Sequence, residues 1–288
     1  MKIKALAPWF GSKRTLAPAI IAELGPHRAY WEPFCGSMAV LLEKPPATME
    51  TVGDLHGDLI NLARVIQSDI DGPKLYRRLR RTVMHEAIYD EAREALSREA
   101  SCPVDRAWAY FVASWLGRNG MAGLPDNRTG KAFCVRYTKN GGHGATRFLG
   151  CVDSIPAFRR RIRQVTILHR DAFAVIARIE DAGGVVIYID APYFAKALDY
   201  AHDLTHDDQR RLAGLLGRFK KTRVVVSYYD HPLLDELYAG WTRRTFDVSK
   251  ATANQTRRGT NETRATEVLL INGPSLVAAD KSAMELFT

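Results

Sequence analysis

Four short runs limit what this chain can become: QVTILH (164–169), GVVIYID (184–190), RVVVSY (223–228) and TEVLLIN (266–272). Each is dominated by β-branched and aliphatic residues, is too short for a buried helix, and is bounded by polar or turn residues, so each reads as a fully buried strand. Between them lie segments with apolar residues at three- and four-residue steps: a helix from Asp171, another over 206–219 and a third over 232–238. Buried strands separated by helices imply a largely parallel sheet covered on both faces. The N-terminal part extends the pattern, with strands at AYWEPF (29–34) and TVGD (51–54), a helix start at MAVLL and a helix at DLINLARVIQ (58–67). A further strand is expected at TRRTFDV.

The alternation is interrupted once. Residues 73–117 are helical in pattern, and 117–148 are rich in Gly, Asn, Arg and Thr, which reads as surface loops around a short hairpin or two. The fold class expected is therefore α/β, a Rossmann-like, mostly parallel sheet with an inserted helical and loop unit. The insertion spans 60–158, and 1–59 with 159–288 form the α/β domain.

The bulk chemistry narrows the function. The chain carries 41 Lys and Arg against 32 Asp and Glu, a formal net charge of +9, which favours a polyanionic partner. The positive residues cluster at RRLRR (77–81), RRRIR (159–163), Lys220–Lys221 and TRRGTNETR (256–264). No apolar run is long enough to cross a bilayer, and the start is too quickly charged to read as a signal peptide. The four cysteines, Cys35, Cys102, Cys134 and Cys151, form no CxxC pair, so neither a metal site nor a disulfide framework is expected. A reducing cytoplasm is the expected location, without membrane contact.

In open α/β sheets, ligands sit beyond the carboxyl ends of the strands. Glu32, Asp54, Asp171 and Asp190 all fall at or just after such ends. The first strand is followed by EPFCGS, with one glycine, and so offers no pyrophosphate cradle of the G-x-G-x-x-G kind. A cofactor without phosphates, carrying a ribose and an adenine, fits better. Asp54 is placed either to accept from ribose hydroxyls or to cap the following helix.

Taken in order, these segments resemble the Dam-like DNA adenine-N6 methyltransferases of bacterial or phage type. The resemblance rests on PWFGSK (8–13), YWEPFCGSMAV, GDLHGDLINLARVI, HRDAF, IDAPYF, YAHDLTHDDQRRLAGLL, VVVSYYDHPLLDELY and TEVLLIN, and it covers most of the chain. It implies S-adenosylmethionine as cofactor, held by Trp9, Lys13, Glu32, Pro33, Phe34, Gly36, Asp54, Asp171 and Phe173. Trp9 and Phe34 are equally suited to plain core positions. It implies a catalytic segment Asp190, Ala191, Pro192 and Tyr193, in which the carboxylate and a backbone carbonyl accept the target amine's two N–H bonds and the tyrosine stacks on a flipped base. Alanine stands at 191 where the family pattern has proline.

The insertion would be the DNA reader and target-recognition domain, through Arg118, Asn119, Arg136, Tyr137, Lys139, Asn140 and Arg147. Double-stranded DNA is the partner implied, a cognate restriction enzyme is a candidate second partner, and no metal is implied. Two alternatives stay open: methylation of another amine, in RNA or protein, and a catalytically silent DNA-binding protein on the same fold.

Overall fold

The computed structural model describes residues 6–8, 13–98, 102–117, 133–134, 143–192, 204–249 and 264–277. The expected strands form one seven-stranded sheet: β1 (Ala29–Glu32), β2 (Met49–Asp54), β3 (Thr166–His169), β4 (Val185–Ile189), β5 (Arg223–Tyr229), β6 (Thr242–Ser249) and β7 (Arg264–Ile271). Their order is β3-β2-β1-β4-β5-β7-β6. The first five are parallel, while β7 runs antiparallel to β5 and β6 antiparallel to β7.

The period of two decides the layers. In β4, Val186 and Tyr188 are buried in one core, while Ile187 and Ile189 are buried in the other. β5 divides likewise, with Val225 on the first side and Val224 and Val226 on the second. Both faces are apolar because helices cover both. On the first side lie α1 (Ala17–Leu24), α2 (Ala39–Glu43), α3 (Gly57–Gln67) and α6 (Pro103–Leu116); on the second lie α9 (Ala172–Ile176), α10 (His206–Gly217) and α11 (Leu233–Leu237).

The inserted helices are α4 (Asp71–Arg81), α5 (Glu86–Ser97), α6, α7 (Gly144–Val152) and α8 (Ile155–Ile162). Their Leu75, Leu79, Tyr89, Phe111, Phe148 and Phe158 join the same buried cluster as Tyr30 and Val52 of the sheet. The insertion therefore packs on the α/β layer through one continuous core. Residue 60, the expected boundary, falls inside α3, whose Leu59, Leu62, Ala63 and Ile66 are buried there.

Residues 144–148, expected as loop, instead open α7. The His143 ring nitrogen accepts the Ala145 N–H at 3.2 Å and caps the helix. Phe148, Cys151 and Val152, at helical spacing, are all buried, and tertiary burial of that stripe outweighs the local glycine signal. Among the described residues no helix is long and apolar enough to cross a membrane.

The chain reverses direction of travel across the sheet between β1 and β4: β2 and β3 follow on one side of β1, β5 on the far side of β4. Such a switch point opens a crevice at the carboxyl ends of the two strands. Glu32 ends β1, and Asp190 follows β4 immediately.

Candidate active site

Asp190 is held from two directions. Ser227, fully buried in β5, donates its hydroxyl to Asp190 Oδ1 at 3.2 Å, and the same hydroxyl lies 2.9 Å from the Tyr188 phenol. Lys13 Nζ lies 3.1 Å from the same carboxylate oxygen and 3.3 Å from Glu267. Lys13 is only 3% exposed. Burial alone would drive its proton off, but the Asp190 and Glu267 carboxylates win and raise its pKa, so the ammonium stays charged.

Beyond Asp190, Ala191 is buried in the second core. The Pro192 carbonyl accepts a 2.7 Å hydrogen bond from the Gln209 amide, and Gln209 Oε1 in turn accepts from the Tyr228 phenol at 2.5 Å. Tyr193, the fourth member of the expected catalytic segment, lies outside the described residues.

Across the switch point, Glu32 is 2% exposed and accepts the Tyr30 phenol at 2.9 Å. Burial pushes its carboxyl up to about 8, and the Asp190 charge adds to this against the opposing pull of the Tyr30 hydrogen bond and Lys44. A neutral buried carboxyl in this place is poised to ionise when a cation arrives.

The turn after β1 passes through Pro33 and the half-buried Phe34 and then tightens. Cys35 N–H bonds to the Gly53 carbonyl at 2.9 Å, and Gly36 N–H to Asp54 Oδ2 at 2.9 Å. Gly36 has φ +43° and Met38 φ +57°. A left-handed methionine costs on the order of 1–2 kcal/mol, yet Met38 is completely buried, so packing holds this turn in shape. Asp54 also accepts the His56 N–H at 2.9 Å through Oδ1. It therefore ties the end of β2 to the β1 turn, and the cap of α3 is the His56 ring, which accepts from Leu59 N–H.

Asp171 is the N-cap of α9 and accepts the Ala174 N–H at 3.1 Å. Phe173, two residues on, is 5% exposed in the second core, with the Arg211 guanidinium 4.5 Å from its ring centre. The structure thus gathers Lys13, Glu32, Pro33, Phe34, Gly36, Asp54 and Asp190 at the carboxyl ends of β1, β2 and β4. Asp171 stands at the start of the helix after β3. Trp9 lies outside the described residues.

Of the residues expected to meet DNA, Arg147 is exposed on α7; Arg118, Asn119, Arg136, Tyr137, Lys139 and Asn140 lie outside the described residues, as do 256–263 of the last basic cluster. The other basic clusters divide. Arg161 is nearly buried and its guanidinium clasps Glu50 and the Leu41 carbonyl, so its role is structural. Arg159 and Arg163 pair with Asp69. Lys220 and Lys221 precede β5, at the amino ends of the parallel strands and opposite the crevice. In the first cluster Arg78 pairs with Asp105 and lies 4.0 Å over the Trp108 ring, and Arg80 pairs with Asp153. Exposed Arg77 and Arg81 line an open groove of about 550 Å³ with Lys74 and Trp108.

Sequence reasoning did not single out Ser227, Gln209 or Glu267. Two left a signal. Ser227 interrupts a β-branched run, and Gln209 falls on the buried stripe of α10 with Leu212, Ala213 and Leu216. A polar residue on a buried stripe has a partner to satisfy.

No group of three or more potential metal ligands occurs among the described residues. Residues 9–254 match the model of a family described as D12 class N6 adenine-specific DNA methyltransferase. Comparison with curated protein sequences finds no match. Among solved structures, one from Clostridium thermocellum, described provisionally as an rRNA-methylase, covers 94% of this chain and 100% of its own at 8% identity and TM-score 0.38.

Proposed function

Because the chain belongs to the D12 class of N6 adenine-specific DNA methyltransferases, we propose that it takes its methyl group from S-adenosylmethionine and acts on an adenine turned out of duplex DNA. The observation that carries this reading is Asp190: a carboxylate at the mouth of the switch point, pinned by Lys13 and Ser227 and followed by a backbone whose Pro192 carbonyl is tied down.

The donor set suits such a cofactor. It is acidic, has no G-x-G-x-x-G turn after β1, and contains Glu32, a buried carboxyl that a cation would ionise. S-adenosylmethionine supplies an electrophilic methyl group on a positively charged sulfur. Glu32, Asp54 and the Gly36 turn would hold it, with Lys13 adjacent and Phe34 offering an apolar wall.

The chain's own task is to make a poor nucleophile competent. An adenine amine is nearly planar because its lone pair is delocalised into the ring. Asp190 and the Ala191 carbonyl, each accepting one N–H, draw the nitrogen towards a tetrahedral geometry and localise the lone pair. The gain is positioning and preorganised electrostatics. The amine is paired inside a duplex, so the base must leave the stack. Lys74, Arg77 and Arg81 in the α4 groove, and Arg147 on α7, are suited to phosphates.

Methylation of plasmid DNA with labelled cofactor, followed by mapping of the modified adenines, tests the whole. Label in RNA alone, or none in any substrate, refutes it.

Glu32 predicts a pH dependence of cofactor affinity. Below about 8 the free protein holds Glu32 neutral, and binding a cation must displace that proton. Affinity should therefore rise with pH, by up to about tenfold per unit, and level off above about 8. Calorimetry in buffers of different ionisation heat should register proton release, and Glu32→Gln should flatten the profile. An unchanged profile in the variant removes Glu32 from the cofactor site.

Ala191→Pro restores a fixed φ near −65° at a residue that already precedes Pro192 and is biased to extended backbone. The entropic term is about 0.4–1 kcal/mol, so single-turnover rates should change by no more than several-fold. No transfer by the protein as it stands, with activity restored by proline, would favour the silent DNA-binding reading.

A further inference from the structure

The Pro192 carbonyl takes its hydrogen bond from a helix. It is tied to α10, through Gln209, and Gln209 is itself fixed at both ends. Its amide nitrogen donates to Pro192 O at 2.7 Å and its amide oxygen accepts from Tyr228 at 2.5 Å. The residue is 1% exposed. The Pro192 carbonyl can only accept, so the amide nitrogen must face it and the amide oxygen face Tyr228; a flip would set two carbonyl oxygens against each other.

Its base is equally determined. Thr205 and Asp208 form a reciprocal capping box at the start of α10, with Thr205 Oγ1 accepting the Asp208 N–H at 3.1 Å and Asp208 accepting the Thr205 N–H at 3.0 Å. Gln209 N–H then bonds to the Thr205 carbonyl at 3.0 Å. Leu212, Ala213 and Leu216 press the same helix face into the second core. A rigid helix start thus delivers one buried amide to one carbonyl.

Ala191 carries no ring to restrain its own φ, and its peptide plane lies between Asp190 and the anchored Pro192. We propose that Gln209 is a positioning residue for methyl transfer, aiming the Ala191 carbonyl at the target amine by clamping the next carbonyl along the chain. This rests on the reading of Asp190–Ala191–Pro192 as the amine clamp.

Two variants test it. Gln209→Leu keeps the approximate volume and removes both bonds. It should lower single-turnover methyl transfer by roughly ten- to a hundredfold, the scale of a small misplacement at a reacting centre. Cofactor affinity should stay within a few-fold. Gln209→Glu is its own control. As a neutral carboxyl it can still donate to Pro192 O while accepting from Tyr228; once ionised it has no proton to donate. Tyr228 keeps its proton throughout, because burial and neighbouring Tyr238 and Asp190 hold its phenol well above the ordinary range.

The glutamate variant should therefore approach the parent's rate near pH 6 and fall about tenfold behind it by pH 9, with cofactor binding retained. Parent-like rates in both variants overturn the proposal. So does loss of activity that merely tracks loss of thermal stability and cofactor binding, which marks Gln209 as structural only. Asp190→Ala run alongside separates the two readings. An active Asp190→Ala refutes the clamp itself, whereas an inactive one beside normal Gln209 variants refutes Gln209 alone.

Discussion

Replacing Asp190 with alanine is expected to lower methyl transfer by about two to three orders of magnitude while changing cofactor affinity by no more than a few-fold. The carboxylate lies at the crevice between β1 and β4, with Oδ1 held by Ser227 and Lys13. Removing one preorganised group of this kind costs about a hundred- to a thousandfold, and the loss here also leaves the buried Lys13 ammonium with one fewer partner. Glu32, Gly36 and Asp54, on the β1 and β2 side, keep their own hydrogen bonds, so cofactor binding should survive. Asp190→Asn is expected to fall between the two, since an amide oxygen can still accept one N–H but forfeits the charge pair with Lys13. Single-turnover kinetics with calorimetry on both variants decide the matter. Near-parent turnover in the alanine variant would remove Asp190 from the mechanism.

Replacing Arg161 with alanine is expected to destabilise the fold by about 3–5 kcal/mol, the scale of breaking a buried ion pair from one side. Arg161 reaches Glu50 with both terminal nitrogens, at 2.5 and 2.9 Å, and the Leu41 carbonyl at 2.8 Å. Glu50 also receives Lys44 at 2.5 Å, and Lys44 sits 4.6 Å from the Tyr30 ring. Burial would raise the Glu50 carboxyl, but Arg161 and Lys44 together hold it below its ordinary value. Without the guanidinium, Glu50 and the Leu41 carbonyl are left under-satisfied in a dry place. Thermal or denaturant unfolding should register the loss directly.

DNA binding gives the contrast. Below its melting temperature, Arg161→Ala should bind duplex DNA with an unchanged salt dependence. Arg77→Ala with Arg81→Ala should leave stability nearly intact and reduce the slope of log K against log salt by about 0.9 for each phosphate no longer neutralised. A stable Arg161→Ala protein with a shallower slope would return that arginine to the DNA interface.

The contrast between Arg161 and Arg77 marks where sequence reading stops. Both belong to arginine runs of the same appearance on amphipathic helices, α8 and α4. Their roles differ because Glu50 lies 111 residues before Arg161, and nothing in the run RRRIR announces it. Helical spacing says which residues share a face; it does not say what the neighbouring element presents to that face. The basic composition points to a polyanion, yet much of the charge closes ion pairs among the helices between β2 and β3 and along their seam with the sheet.

Strand positions were legible from the chain because their cause is local. Runs such as VVIYI have no low-energy alternative to burial on two faces, and period two then assigns Tyr188 and Ile189 to opposite cores. The placing of Glu32, Asp54 and Asp190 at strand ends follows from the same local pattern, and with it the location of the crevice. What the tertiary structure alone decided is how those acids are held: Lys13 and Ser227 on Asp190, Gly36 on Asp54, and Gln209 on the Pro192 carbonyl. Those partners come from elements brought together by sheet order and helix packing. A hydrogen bond depends on distance and direction to within fractions of an ångström, and that precision is set by the packed whole.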